Sequence, residues 1–148
     1  MTTGSDLIPV NSIILLINGI HFPFNLFQDA LVWAKDHYCI FRSLILSDHL
    51  IVDSIFEDSA VYPVSEQQRI TEYINIMEDR TKAFGLEYKN TVIVKPTIQQ
   101  VLNEIREAQK VFIGLQDDVD FKDLGFKWGD MINLIPMRQQ VISNRAYR

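Results

Sequence analysis

The sequence is poor in cysteine, in glycine and in long apolar runs. Of its 148 residues, one is cysteine and six are glycine. The single thiol, Cys39, excludes an internal disulfide and indicates a reducing compartment, so we expect a cytoplasmic location. The longest purely aliphatic run, Ile13–Ile17, is far shorter than the roughly 20 residues of a membrane helix. No Lys or Arg precedes Lys35, so the basic region of a secretory signal is also missing.

Positive charge is scarce as well. The chain has 14 Lys and Arg residues against 19 Asp and Glu residues, which gives a net charge of −5. A protein that binds nucleic acid needs a basic face to neutralise phosphates, so we expect no nucleic-acid partner. The 47% share of hydrophobic residues is that of a globular protein and excludes a charge-rich disordered chain.

Sequence motifs for catalysis and metal binding are missing. There is no Gly-x-Ser-x-Gly elbow, no Walker loop and no Gly-x-Gly-x-x-Gly, so we expect no catalytic residues. Asp117, Asp118 and Asp120 have part of the spacing of a calcium loop, but its glycine and its final glutamate are absent. His37 and Cys39 lack the second matching pair that a zinc site would need. We interpret the aspartates as a solvated acidic loop and the other two as packing residues.

What the sequence does contain is an alternation of short β-type runs and longer helical patterns. The predicted strands are Ser12–Ile17, Ser43–Ser47, Thr91–Lys95, Val111–Leu115 and Gln140–Ser143, and the predicted helices are Pro23–Tyr38, Ser65–Phe84, Thr97–Ala108 and Gly129–Pro136. This order predicts an α/β fold, a doubly wound five-stranded parallel sheet with helices on both faces, as in Rossmann-like proteins. Ligands bind such sheets beyond the carboxyl ends of the strands, where the strand order reverses.

Capping residues and a glycine predict where several helices begin or end. Asn25, Ser65 and Thr97 are each followed three residues later by Gln, and Asp130 is a further candidate cap. Gly85 predicts the end of the second helix. The connection 48–64 is unusually apolar, which predicts either a lid over the sheet edge or a contact with a partner.

The order and spacing of these elements resemble the universal stress protein family over residues 12–143. The matching segments are the strand that ends at Ile17-Asn18, the helix with Ala30-Leu31-x-x-Ala34, the run TVIVK with Pro96 and the helix Ile98–Ala108, and the strand Val111–Gly114. The resemblance implies one adenine nucleotide alpha hydrolase-like domain at 12–143, with tails at 1–11 and 144–148. It also implies a role in stress response.

Many members of that family bind ATP through a Gly-x2-Gly-x9-Gly-Ser/Thr loop after the fourth strand, and this sequence departs from it. Gly114 matches the first glycine, but Asp117 and Lys127 stand at the next two, and the closing pair is displaced to Gly129-Asp130. The segment 116–130 carries a net charge of −3, which repels a triphosphate, so we expect no tightly bound ATP and no other cofactor. By family position, the candidate ligand-binding residues are Asn18, Gly19, Gly114, Gly129 and Asp130.

Three functions are compatible with this sequence. The first is a non-enzymatic binding or regulatory domain in stress response. The alternative is a nucleotide-binding switch for ATP or AMP, or a weak ATPase, with a remodelled phosphate loop. The third, a small-molecule enzyme, lacks a catalytic set. The resemblance also implies a homodimer through the C-terminal strand, and Gln140–Ser143 contains no lysine or proline that would block pairing at a sheet edge.

Overall fold

The computed structural model describes residues 11–19, 21–47, 66–114, 120–121 and 126–142. The strands are β1 (Ser12–Asn18), β2 (Ile40–Ser47), β3 (Tyr88–Val94), β4 (Lys110–Ile113), β5 (Asp120–Phe121), β6 (Phe126–Lys127) and β7 (Gln140–Ile142). The helices are α1 (Phe24–His37), α2 (Glu66–Ala83), α3 (Ile98–Ile105) and α4 (Trp128–Ile132), and a 3-10 turn at Met137–Gln139 precedes β7.

Five strands form one parallel sheet in the order β3-β2-β1-β4-β7. The predicted doubly wound five-stranded parallel sheet is therefore confirmed. All seven residues of β1 are buried, because this strand lies at the centre of the sheet between two layers of helices. The strand order reverses between β1 and β4, so the carboxyl ends of these two strands form the switch point.

Alternate residues of β1 supply two separate hydrophobic cores. Ile13, Leu15 and Ile17 pack on the face that α1 and α2 cover. Ile14 and Leu16 pack on the other face, against α3 and the α4 region. The strand therefore anchors both layers, which explains why its sequence is aliphatic at successive positions. In the described part of the chain, no helix combines the length and the apolar character that crossing a bilayer requires.

The helix ends agree only in part with the predicted caps. Thr97 and Gln100 form a complete capping box at the start of α3. Gly85 has a φ of +81° and lies where α2 ends, as predicted. The cap predicted at Asn25 is wrong: α1 is preceded by Pro23 at the capping position, and no side chain caps it. Ser65 and the connection 48–64 lie outside the described residues.

Several predicted boundaries and one face assignment also differ from the structure. Strands β2 and β3 each begin three residues earlier than predicted, because polar residues such as Arg42 and Lys89 interrupt the aliphatic pattern but still pair with the neighbouring strand. The three- and four-residue spacing of apolar residues in the predicted helix Pro23–Tyr38 puts Phe24 and Tyr38 on its apolar face. In the structure Phe24 is 41% exposed and Tyr38, at the C-cap of α1, is 88% exposed, so neither lies in the core. The hairpin of β5 and β6 was not predicted.

Candidate ligand site at the carboxyl ends of β1 and β4

The centre of the candidate site is the end of β1. Asn18 is the last residue of this strand and is 5% exposed, and Gly19 follows it directly. A polar residue at this buried position ends the aliphatic run and places an amide at the switch point. The amide can donate and accept hydrogen bonds, which suits the edge of a base or a ribose.

Arg69, which no sequence motif marks, reaches the same point from α2. Its Nε donates a hydrogen bond of 2.8 Å to the carbonyl oxygen of Gly19. The two residues are 50 positions apart in the chain, and no local motif joins them. One sequence signal could have identified Arg69: it lies next to Ile70 and four residues before Tyr73, at the margin of the apolar face of α2.

The next turn of α2 holds the connection between β1 and α1. The rings of Tyr73 and Phe22 lie 5.3 Å apart between centroids, and Phe22 also contacts Phe27 of α1 in an edge-to-face arrangement at 5.3 Å. Arg69 and Tyr73 therefore fix the connection at two points, Gly19 and Phe22. Packed aromatic residues therefore support this part of the site.

Gly114 continues β4 into the switch point, and its missing side chain is required by packing. Its amide nitrogen donates to the carbonyl oxygen of Leu16 at 2.8 Å. A Cβ added here would lie 2.7 Å from Pro23 Cγ, 3.1 Å from Ile17 Cγ2 and 3.4 Å from Leu26 Cδ2. The space beside this glycine is thus filled by the start of α1. Close contact with α1 accounts for the glycine without any phosphate.

The described residues 120–121 and 126–130, which follow Gly114 in the chain, form a strand pair and the first residues of a helix rather than a glycine-rich loop. Asp120 pairs with Lys127 and Phe121 with Phe126 in an antiparallel hairpin, and α4 begins at the next residue, Trp128. Gly129 therefore lies inside the first turn of α4. Asp130 lies in the same turn and is exposed, so the helix starts before the position at which Asp130 was predicted to cap it.

Of the five candidate residues, the structure brings Asn18, Gly19 and Gly114 to the ends of adjacent strands. Gly129 and Asp130 belong instead to α4, beyond the hairpin. That these five residues bind a ligand stays a prediction.

The residues considered for metal binding have other contacts. The ring of His37 stacks on Trp33 at 3.7 Å, and its Nδ1 lies 2.9 Å from the Trp33 carbonyl oxygen. Cys39 is buried and its Sγ lies 3.4 Å from Gln109 Oε1, and burial raises the pKa of the thiol. Within the described ranges, no three His, Cys, Asp or Glu side chains are grouped as metal ligands would be.

A second polar feature lies toward the amino ends of the strands. It is an open groove of about 270 Å³ lined by Arg42, Asn103, Glu104, Arg106 and Glu107. Arg42 Nη2 contacts Glu104 Oε1 at 3.1 Å, and Arg106 Nη2 donates to Asn103 Oδ1 at 2.7 Å. Both arginines therefore already serve acceptors of the protein, and the groove is a self-paired polar surface.

The sequence itself matches no family model and no curated protein. The structure, in contrast, is similar to that of a universal stress protein from Archaeoglobus fulgidus, with a TM-score of 0.61 and 11% identity over 96% of this chain and 98% of that one. A protein of the universal stress protein family from Burkholderia pseudomallei gives a TM-score of 0.59 and 12% identity, over 89% of this chain and 94% of that one. A universal stress protein in complex with cAMP gives 0.56 and 12%, over 90% of this chain and 95% of that one. The chain has the fold of universal stress proteins.

Proposed function

We propose that this chain is a universal stress protein-like domain that binds or regulates partners in stress response, without enzymatic activity and without holding ATP tightly. We assign it to the cytoplasm, because its single cysteine is buried and forms no disulfide, as is usual for proteins of a reducing compartment. The fold supports the first part of the proposal. The proposal about ATP depends on the segment that follows β4.

The observation that carries this proposal is the structure around Gly114 and beyond it. A phosphate-binding loop needs glycine positions at which the backbone can approach the phosphates. Here the space that a Cβ of residue 114 would occupy is already taken up by Pro23, Ile17 and Leu26. The hairpin and α4 then take up residues that the family pattern gives to the loop. The acidic composition of 116–130 adds charge repulsion to this geometry.

Calorimetric titration with ATP, with and without Mg²⁺, tests the proposal. We expect a dissociation constant weaker than about 100 μM. Micromolar binding of ATP would contradict it. Release of phosphate from ATP at a rate above that of a matched buffer control would contradict the non-enzymatic part.

A second candidate function is a switch that binds an adenine nucleotide with fewer phosphates. The buried Asn18 and the contact between Arg69 and Gly19 favour it, because they place hydrogen-bonding groups and a positive charge at the switch point. The similar structure that contains cAMP supports the same idea. Titration with AMP, cAMP and adenosine separates the two candidates, because only the second expects saturable binding of a nucleotide.

We further propose that the chain forms a homodimer through β7. This strand pairs with β4 on one side, and no other described strand pairs with its second edge. Two large apolar residues near it are exposed, Leu134 at 57% and Met137 at 80%. An open strand edge beside exposed apolar side chains favours pairing with a second copy of the same chain.

A further inference from the structure

Asn18 and Gly19 form the only Asn-Gly pair in the sequence. An asparagine before glycine deamidates spontaneously faster than one before other residues, because glycine has no side chain to hinder attack by its backbone nitrogen. In this chain the pair lies at the carboxyl end of β1, where Asn18 is 5% exposed and Gly19 is also buried. The fold therefore encloses a chemically reactive pair at the switch point.

Deamidation needs a movement of the backbone at this pair. The electron pair of the Gly19 backbone nitrogen attacks Asn18 Cγ, the bond from Cγ to Nδ2 breaks, and the side-chain nitrogen leaves as ammonia with the proton of the Gly19 N–H. One water molecule then opens the cyclic imide at either of its carbonyl carbons, which gives aspartate or isoaspartate. The ring closes only after rotation about the Cα–C bond of Asn18 takes this residue out of the extended conformation of a strand.

Contacts on both sides of the pair resist that rotation. Asn18 is paired with Leu46 of β2 along the parallel sheet. From outside the sheet, Arg69 Nε donates to the carbonyl oxygen of Gly19 at 2.8 Å and so holds the residue whose nitrogen would have to move. Cyclisation therefore requires a local opening of the strand end, in which the contact between α2 and Gly19 is broken.

We propose that Asn18-Gly19 is a deamidation site that the contact between Arg69 and Gly19 keeps closed in the folded protein. The reaction replaces a neutral amide by a carboxylate at a buried position, so the switch point loses a hydrogen-bond donor and gains a negative charge. Isoaspartate also lengthens the backbone by one carbon and disturbs the pairing with Leu46. The modification would thus change the candidate site itself.

The test measures aspartate and isoaspartate at position 18 by mass spectrometry of digests, after incubation of the full chain at mildly alkaline pH. The rate in the folded protein follows the population of the open form, so we expect it to be at least about tenfold lower than in the same chain unfolded in urea. Arg69→Met keeps the apolar stem of the side chain but has no donor. It should raise the rate in the folded protein by about tenfold and leave the rate in urea unchanged. Arg69→Lys keeps a donor, and its rate should lie between those two.

Lys82→Met is the matched control, because Lys82 is an exposed cation on the same helix. It should deamidate at the wild-type rate, and urea unfolding shows whether each variant is folded. Equal rates for the folded and unfolded wild type would contradict the protection, and equal rates for the folded wild type and folded Arg69→Met would contradict the role of Arg69.

A measurement on the wild type alone keeps the proposal testable if Arg69→Met does not fold. In urea concentrations below the unfolding transition, local opening exposes less surface than unfolding, so the deamidation rate should depend less steeply on urea than global unfolding does. The same steepness would show that the pair reacts only in the unfolded chain, and the proposal would be wrong.

Discussion

The side-chain nitrogen of Gln139 lies 2.6 Å from the carbonyl oxygen of Ala108. The same nitrogen lies 3.2 Å from the carbonyl oxygen of Ile105, the last residue of α3. Gln139 is 6% exposed, so this amide satisfies helix-end carbonyls that are shielded from water. Through it, the turn that precedes β7 is attached to the end of α3.

We expect Gln139→Leu to destabilise the protein by about 1–3 kcal/mol, because buried carbonyl groups lose their donor. Urea unfolding measures the change as a lower midpoint at an unchanged slope. Gln99→Leu is the control. Gln99 is exposed and donates to Asn103 at 3.0 Å, so its loss should cost less than about 0.5 kcal/mol. Equal midpoints for the wild type and Gln139→Leu would contradict the prediction.

A buried tyrosine predicts how stability changes at alkaline pH. The hydroxyl of Tyr88 lies 2.7 Å from Ser43 Oγ, and burial raises the pKa of Tyr88 from 10 to about 12. The folded state therefore favours the neutral phenol. Its contribution is complete below the unfolded-state pKa and is lost as the pH rises from about 10 through 12, with a total of about 2–3 kcal/mol.

Urea unfolding between pH 8 and pH 11 tests this dependence. Tyr88→Phe removes the ionisable group and should reduce the loss of stability above pH 10. Tyr38→Phe is the control, since Tyr38 is 88% exposed and its removal should leave the alkaline profile unchanged. If Tyr88→Phe follows the same alkaline profile as the wild type, Tyr88 is not the group that titrates.

The role assigned to Gly114 predicts a packing defect when a side chain is added. In Gly114→Ala, the new Cβ would lie 2.7 Å from Pro23 Cγ, a ring carbon that cannot swing away as the end of a long side chain can. We expect a destabilisation of about 1–3 kcal/mol, measured by urea unfolding.

Gly85 offers a contrasting glycine. It has a φ of +81°, and no atom lies within 4 Å of an added Cβ. Glycine is therefore favoured at this position by the backbone conformation and not by close packing. Asparagine tolerates this left-handed conformation and should be accepted at position 85 at a small cost, whereas Gly114→Asn should be at least as damaging as Gly114→Ala. Equal costs for Asn at the two positions would refute the distinction.

The sequence predicts those parts of the fold whose signal is local. The aliphatic run of β1 indicates a strand buried on both faces, and Thr97 with Gln100 marks the start of α3, because both features depend on neighbouring residues. The start of β2 was harder to predict. Arg42 interrupts its apolar pattern, but its guanidinium is paired with Glu104 at 3.1 Å, a residue 62 positions away.

The candidate site was only partly predictable for the same physical reason. Asn18 and Gly114 follow recognisable strands, so the topology places them at the switch point. The contact between Arg69 and Gly19 forms across 50 residues and has no local pattern. A glycine needed for close packing also looks the same in a sequence as a glycine needed for phosphate. The neighbouring atoms of Pro23, Ile17 and Leu26 indicate the packing role for Gly114.

The proposed dimer predicts both a mass and the residues that control it. At micromolar concentration, light scattering should give about twice the chain mass of 17.2 kDa. Val141→Pro should shift the protein toward monomers, because proline removes a backbone donor from the short strand β7. That change also affects the strand that pairs with β4, so it can disturb folding as well as pairing.

Met137→Glu gives a cleaner test, because Met137 is 80% exposed in the single chain and its substitution should leave folding intact. In a dimer, however, the added carboxylate would be buried against the second copy and would lose its hydration without gaining a partner. We therefore expect this variant to be a monomer that is still folded and unfolds in one cooperative thermal transition. Ile76→Glu is the control: Ile76 is 38% exposed but lies on α2, outside the segment that leads into β7, and the substitution should leave the dimer intact. A wild-type mass near 17.2 kDa would refute the dimer. A dimer that survives both Val141→Pro and Met137→Glu would place the interface elsewhere on the molecule.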